Sequence, residues 1–253
     1  MFFSMYPKVG YDLNNSGVQK LLTNLTAYST IEANSKLLDN VSFYKKYSIP
    51  DGSRPDHVSQ TLYGTPDYYW TFFIINRDLK NYFSDWPKTL NNLREYTIDK
   101  YPYLAGIARA WDGIVTNGNE DFSGTGIIGE VVYGQVTGAR ARLIRKYPTQ
   151  GYIALEPLTA NDKFRLSGEA LIGETSGGVF TIDSFVKEAD APAYHIDTIT
   201  GERAPMRAAG GTTTPVSYFD IEREKNNKAS FIRVIKPEYI VDVVREFKRS
   251  MQE

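Results

Sequence analysis

Residues 43–76 read FYKKYSIPDGSRPDHVSQTLYGTPDYYWTFFIIN. Phe43 to Ile49 is a β-rich run, and Pro50-Asp51-Gly52 ends it with turn chemistry. Ser53 stands where a helix N-cap is expected, with Pro55 and Asp56 in the first turn. Val58 and Leu62 share a face, and Gly64 suits a left-handed C-cap. A second helix start follows at once, with Thr65 as cap, Pro66 at the first helical position and Asp67 at the positive end. The run Tyr68 to Asn76 is apolar nearly all round, so it has to be covered on most sides. A third helix is expected from Leu90 to about Tyr101, after Trp86-Pro87 and with Thr89 as cap.

Outward from this stretch the grammar changes several times. Residues 1–42 mix Asn, Ser and Thr with Leu and Tyr and read as an N-terminal arm, with Leu21, Leu22 and Leu25 on one short helix or strand. Residues 43–101 form the strand–helix–helix module with its extra helix, and 102–122 read as a linker. Residues 123–186 are short β-branched runs cut by glycines, the pattern of strands and tight turns. Gly129-Glu130, Gly134 and Thr137-Gly138 recur 39 residues later as Gly168-Glu169, Gly173 and Ser176-Gly177. Each copy reads as a β-hairpin, and five or six such strands suggest a small antiparallel β-barrel or sandwich. Residues 187–215 are small and polar and read as a second linker. Val216 to Ile221 and Ala229 to Lys236 read as two strands joined by the charged turn Glu222–Lys228. Pro237 then opens a helix on which Ile240, Val243, Val244, Phe247 and Met251 follow the 3.6 period. The 216–253 segment is thus expected to be a β-hairpin and helix, and the fold class α+β.

Composition excludes several function classes. Lys and Arg number 29 against 30 Asp and Glu in 253 residues, so the chain lacks the basic excess of a polyanion binder and no nucleic-acid partner is expected. It has no Cys, which removes disulfides, thiolate metal sites and cysteine nucleophiles. The start of the chain has no apolar h-region of a secretory signal. No apolar run approaches the roughly 20 residues of a membrane span, so no membrane partner is expected. The 18 Tyr, 13 Phe and 3 Trp are an unusual load, typical of large protein–protein surfaces.

Three motifs invite a catalytic reading. Gly124-Thr125-Gly126-Ile127-Ile128-Gly129-Glu130-Val131 matches kinase and dinucleotide glycine loops letter by letter. The chain continues as strand where a dinucleotide site needs a helix, and no kinase metal-binding motif follows. Gly173-Glu174-Thr175-Ser176-Gly177-Gly178 resembles a protease nucleophile loop, yet Ser176 has its repeat counterpart in Thr137, and neither His57 nor His195 is fixed beside it. Asp51, Asp56 and His57 could be grouped as metal ligands, but turn and capping chemistry account for both carboxylates. Arg140 and Arg142 lie on one strand face, with period two. The expectation is a protein that is not an enzyme, with no cofactor, metal or catalytic residue.

Tyr47-Ser48-Ile49-Pro50-Asp51-Gly52, Asp56 to Gly64, Trp70, Ile74 and Asn76 resemble a LysM-type module, though Gly52-Ser53-Arg54-Pro55 replaces that family's usual Gly-Asp-Thr. With Asp85-Trp86-Pro87 and Lys100-Tyr101 added, residues 43–101 are similar to the baseplate wedge protein of T-even-type contractile-tailed bacteriophages. The resemblance implies a structural part that clamps neighbouring wedge subunits in a contractile tail, at six copies per baseplate. It implies other wedge and inner-ring proteins as partners. The location implied is the virion tail baseplate, with the host cytoplasm during assembly. The β-domain at 123–186 is an insertion whose role does not carry over. Tyr63, Tyr69, Trp70, Phe73, Asn76, Trp86, Tyr239 and Phe247 are the candidate structural or partner-binding residues. The alternative is LysM-type binding of peptidoglycan N-acetylglucosamine chains.

Overall fold

The computed structural model describes residues 8–12, 20–23, 43–76, 78–79, 81–108, 126–204 and 213–250. In chain order the strands are β1 Lys8–Tyr11, β2 Lys20–Thr23, β3 Tyr44–Ser48, β4 Leu104–Ala108, β5 Val131–Gly134, β6 Arg140–Tyr147, β7 Tyr152–Pro157, β8 Ala170–Gly173, β9 Val179–Lys187, β10 Pro192–Asp197, β11 Arg203–Ala204, β12 Thr213–Ser217 and β13 Phe231–Ile235. The helices are α1 Pro55–Tyr63, α2 Trp70–Ile75, α3 Leu90–Lys100, α4 Tyr218–Ala229 and α5 Ile240–Ser250. The fold is α+β, as expected. It divides into two compact units, Met1–Thr89 with Lys225–Glu253, and Leu90–Glu224.

The first unit is organised around α2. Every residue from Trp70 to Ile75 is buried, as an all-round apolar helix requires. On one side Trp70, Ile74 and Ile75 pack with Ile235, Ile240, Val244 and Phe247. On the other, Phe72 and Phe73 pack with Ile49, Val58, Leu79, Trp86, Ile232 and Val234. Gly64 closes α1 in the left-handed conformation (φ 73°), and its N–H bonds the Gln60 carbonyl. Thr65 accepts from the Asp67 N–H, opening a single 3-10 turn before α2. The cap of α1 is Arg54 rather than Ser53, because Pro55 takes the first helical position; no side chain caps it. Lys8–Tyr11 and Lys20–Thr23 form an antiparallel pair, which makes Leu21 and Leu22 strand residues; Leu25 lies outside the described residues.

The expected 216–253 hairpin is not formed. β13 pairs antiparallel with β3, from Phe231 opposite Ser48 to Ile235 opposite Tyr44. The run expected as strand at Val216–Ile221 turns helical at Tyr218. Ser217 and Asp220 make a reciprocal capping box there: the Ser217 hydroxyl accepts from the Asp220 N–H and the Asp220 carboxylate accepts from the Ser217 N–H. The expected charged turn Glu222–Lys228 is therefore the body of α4. On α5, Ile240, Val244 and Phe247 are buried and Val243 half-buried, the expected period; Met251 lies outside the described residues.

The second unit holds a closed six-stranded antiparallel barrel, in the order β4-β7-β6-β5-β8-β9. The repeat in the sequence is a repeat in space. Tyr133 and Ile172, the same position in the two copies, are direct partners across β5 and β8. Val131–Arg142 and Val132–Ala141 of the first hairpin recur as Ala170–Thr181 and Leu171–Phe180 of the second. A pseudo-two-fold axis thus passes through the β5–β8 seam. It exits where Gly106 pairs with Ile153 across β4 and β7. The ladder shifts register at Ile144 on β6 and at Asp183 on β9, again equivalent positions. β4 is therefore the third strand of the second half, as β7 is of the first, although it precedes both copies in the chain.

The expected linker at 102–122 is corrected accordingly, since Leu104–Ala108 closes the barrel. Small residues suit that place. A Cβ on Gly106 would sit 3.2–3.4 Å from Ile182, Ile153 and Phe185, which pack over it. The linker expected at 187–215 also holds structure, the three-stranded sheet β11-β10-β12. Its small residues Ala189 and Ala191 are fully buried, and Ala191 packs with Ala105, Tyr152 and Ala154 of the barrel.

Candidate interaction surface

The structure places most of the eight candidate residues inside the first unit. Trp70 is 3% exposed, with its ring 4.5 Å from that of Phe247, itself buried. Phe73 and Trp86 are buried together at 5.7 Å, and the Trp86 indole donates to the Ser53 carbonyl at 2.7 Å. Tyr63 is half-buried and stacks on Phe72, and its hydroxyl donates to the Ile235 carbonyl at 3.0 Å. Burial pushes the Tyr63 phenol well above the usual range. Tyr69 is half-buried between Phe73 and Phe83. Tyr239 alone of the eight is exposed, edge-on to Phe43 at 5.0 Å.

Asn76 does the work of a missing strand. Its amide oxygen accepts from the Arg233 N–H at 2.8 Å, and its amide nitrogen donates to the Arg233 carbonyl at 2.9 Å. Tyr63 takes the next outward carbonyl on β13, that of Ile235. With β3 on its other side, the edge of β13 is closed at these groups, which guards against strand addition there.

Further apolar groups left in water lie outside the eight candidates. Val9, Tyr11 and Leu21 on the β1–β2 pair are 48%, 57% and 71% exposed, and Phe83 and Phe231 are also exposed. Phe231 was readable: in Phe231-Ile232-Arg233-Val234 the even residues are buried and the odd ones face outward.

In the barrel the repeated glutamates make reciprocal clasps. Glu169 accepts from the Val136 and Thr137 N–H groups, both at 3.0 Å, from the Thr137 hydroxyl at 2.7 Å and from the Arg165 N–H at 2.9 Å. Glu130 accepts from the Thr175 and Ser176 N–H groups at 3.3 and 3.0 Å, from the Ser176 hydroxyl at 2.9 Å and from the Ile127 N–H. Each copy's carboxylate thus grips the other copy's turn. Gly134 and Gly173 are needed for this approach, since a Cβ would lie 2.4 Å from Glu169 Oε2 and 2.5 Å from Ser176 Oγ. Desolvation raises the pKa of both glutamates, but the donated hydrogen bonds outweigh it, and both are held below the ordinary value. The glycines of the kinase-like stretch that lie in the described residues, Gly126 and Gly129, serve turns with positive φ. The Ser176 hydroxyl is committed to Glu130.

Arg140 and Arg142 are exposed on one face of the strand, while Ala141 between them and Leu143 after them are buried. His57 is exposed on α1, and His195 is buried on β10 rather than in a linker, with its Nδ1 lacking a hydrogen-bond partner. Among the described residues no cluster of His, Asp and Glu is placed to hold a metal, Asp51, Asp56 and His57 included. No described helix is long and apolar enough to cross a membrane.

Residues 1–124 match a family model described as base plate wedge protein 53. That is just under half of the 253 residues. It bears out the baseplate-wedge resemblance drawn from residues 43–101 and supports a structural role in a phage tail baseplate. No curated protein matches the chain.

Proposed function

We propose that this chain is a structural component of a phage tail baseplate wedge that clamps neighbouring wedge subunits together in a contractile tail. The observation that carries this reading is the match over residues 1–124, the segment that contains α1, α2 and the Trp70, Phe72, Phe73 and Trp86 rings of the aromatic core. The protein acts as a part and not as an enzyme. It has no cofactor, and it works at six copies among other wedge and inner-ring proteins, assembled in the host cytoplasm and carried in the virion. The aromatic block supplies rigidity. The surfaces for neighbours are the exposed apolar groups, Val9, Tyr11 and Leu21 on the β1–β2 pair and Phe83, Phe231 and Tyr239 on the block. Large apolar side chains left in water on a well-packed body are what an assembly interface uses.

The test is mass spectrometry of cross-linked virions, with cryo-microscopy of the baseplate. Finding the chain at wedge stoichiometry, linked to wedge proteins through the β1–β2 pair or the Phe231 face, is the expected result. Absence from the particle overturns the reading. A second reading, LysM-type binding of N-acetylglucosamine chains, is favoured by one observation: β3, α1, α2 and β13 form a strand–helix–helix–strand set with the two strands paired. Retention on insoluble peptidoglycan is its test, and a null pull-down ends it.

A further inference from the structure

Glu130 and Glu169 are 7% and 6% exposed, and together they take eight hydrogen bonds. Six of the eight come from the partner repeat's turn. Among the described residues no cation is bonded to either carboxylate, and the clasps are held by backbone N–H and hydroxyl dipoles. Protonation would place an O–H among N–H groups that can only donate, with the Thr137 or Ser176 hydroxyl as the one neighbour in each clasp able to accept it. Both clasps sit at the ends of the same β5–β8 seam, where the Gln135 N–H bonds the Ala170 carbonyl and the Glu174 N–H bonds the Val131 carbonyl, both at 2.9 Å.

We propose that the paired clasps are an acid-released device: protonating Glu130 and Glu169 frees both turns and opens the β5–β8 seam of the barrel. The surrounding charges do not replace the carboxylates. Around Glu130 they are Lys146 of β6, whose Nζ reaches the Gly126 carbonyl, and Glu174 of the clasped turn, paired with Arg140. Around Glu169 they are Arg165, turned to the Ser167 hydroxyl, Asp183 of β9, whose carbonyl lies over Gly168, and Asp162, which accepts from Arg140 and Thr159. The sign follows from the depressed values in the folded state. The stabilisation is complete above the ordinary glutamate value of 4.5 and is lost as pH falls through the lowered folded values. Two protons are taken up together, so the opening constant rises up to about a hundredfold per pH unit in that window.

The experiment is a pH titration of the full chain by amide NMR from pH 7 to 3. The reporters are Val136, Thr137, Thr175 and Ser176, with hydrogen exchange at Gln135 and Glu174 corrected for the intrinsic rate. The expected result is four amides moving with midpoints below 4.5 and seam exchange at least about tenfold faster below them. In Glu130→Gln the titration of Thr175 and Ser176 disappears while that of Val136 and Thr137 remains. Turn amides that stay fixed down to pH 3 overturn the proposal. So does a seam whose exchange is unchanged while the amides titrate. Both readings come from the unmodified protein, so a variant that fails to fold leaves the test intact.

Discussion

The two units solve the problem of specifying one structure in opposite ways. The aromatic unit is held by contacts between residues far apart in the chain: the Asn76 amide reaches Arg233 across 157 positions and the Tyr63 hydroxyl reaches Ile235 across 172. Its stabilisation is apolar burial, with Trp70, Phe72, Phe73, Trp86 and Phe247 at its centre. The barrel is built from neighbouring hairpins, and its distinctive bonds are polar, the two glutamate clasps. Apolar packing tolerates rearrangement at modest cost, because it is non-directional. A carboxylate held by four donors has one geometry. The first unit therefore needs segments from both ends of the chain before it can close, whereas the two hairpins of the barrel form locally and only β4 reaches across them to β9.

The change that presses hardest on this contrast is Trp70→Ala. It deletes a buried ring tilted against that of Phe247 and should cost about 3–5 kcal/mol. The loss should appear as faster hydrogen exchange over α1, α2, β13 and α5, with protection of β5–β9 retained. Loss of protection in the barrel to the same degree would show that the units do not behave separately. A normal infectious particle carrying the change would contradict the core role of Trp70.

Gly134→Ala and Gly173→Ala come next. Each pushes a methyl into its clasp, so either the carboxylate moves away from its buried donors or the turn shifts, at about 2–4 kcal/mol. The pseudo-two-fold predicts similar costs for the two, measured by denaturant unfolding. A large difference would mean that one half of the barrel carries the other.

These positions also show what the sequence made legible. The 39-residue repeat was readable because glycines and clasp residues recur locally. That each glutamate serves the other copy was not, since no spacing within one copy reports a contact between copies. β4 was read as linker because Leu104-Ala105-Gly106-Ile107-Ala108 is weak as a strand by itself, and its role is set by the side chains that cover Gly106. The helix at Tyr218 is signalled by the capping-box spacing of Ser217 and Asp220, whereas the β-branched Val216 and Ile221 on either side favour a strand; the capping bonds decide it. In the aromatic block the helices and the Gly64 cap followed from local rules, while the pairing of β3 with β13 depends on residues too distant for any periodicity to connect. Aromatic content does not separate a core from an interface, and it is exposure that distinguishes Tyr239 from Trp70.

Asn76→Ala tests the boundary between the two kinds of construction, a polar device in the apolar unit. It leaves the Arg233 N–H and carbonyl without their partner at a half-exposed edge, a cost of about 1–2 kcal/mol. It should also open β13 to strand addition, visible as concentration-dependent association in sedimentation. Destabilisation without association would mean that β13 is guarded by more than this side chain.

The smallest effect is the sharpest test of equivalence between the barrel's halves. Thr137 and Ser176 perform one task in two copies: each hydroxyl donates to the opposite glutamate and accepts from the N–H two residues on. They differ by a methyl, and both positions are exposed, so the methyl adds little burial. Exchanging them, Thr137→Ser with Ser176→Thr, keeps every hydrogen bond and should change stability by less than about 0.5 kcal/mol. Ser176→Ala removes a hydroxyl that satisfies a buried carboxylate and should cost more, about 1–2 kcal/mol. If the exchange cost as much as the deletion, the two clasps would not be interchangeable, and the symmetry of the backbone would not extend to its chemistry.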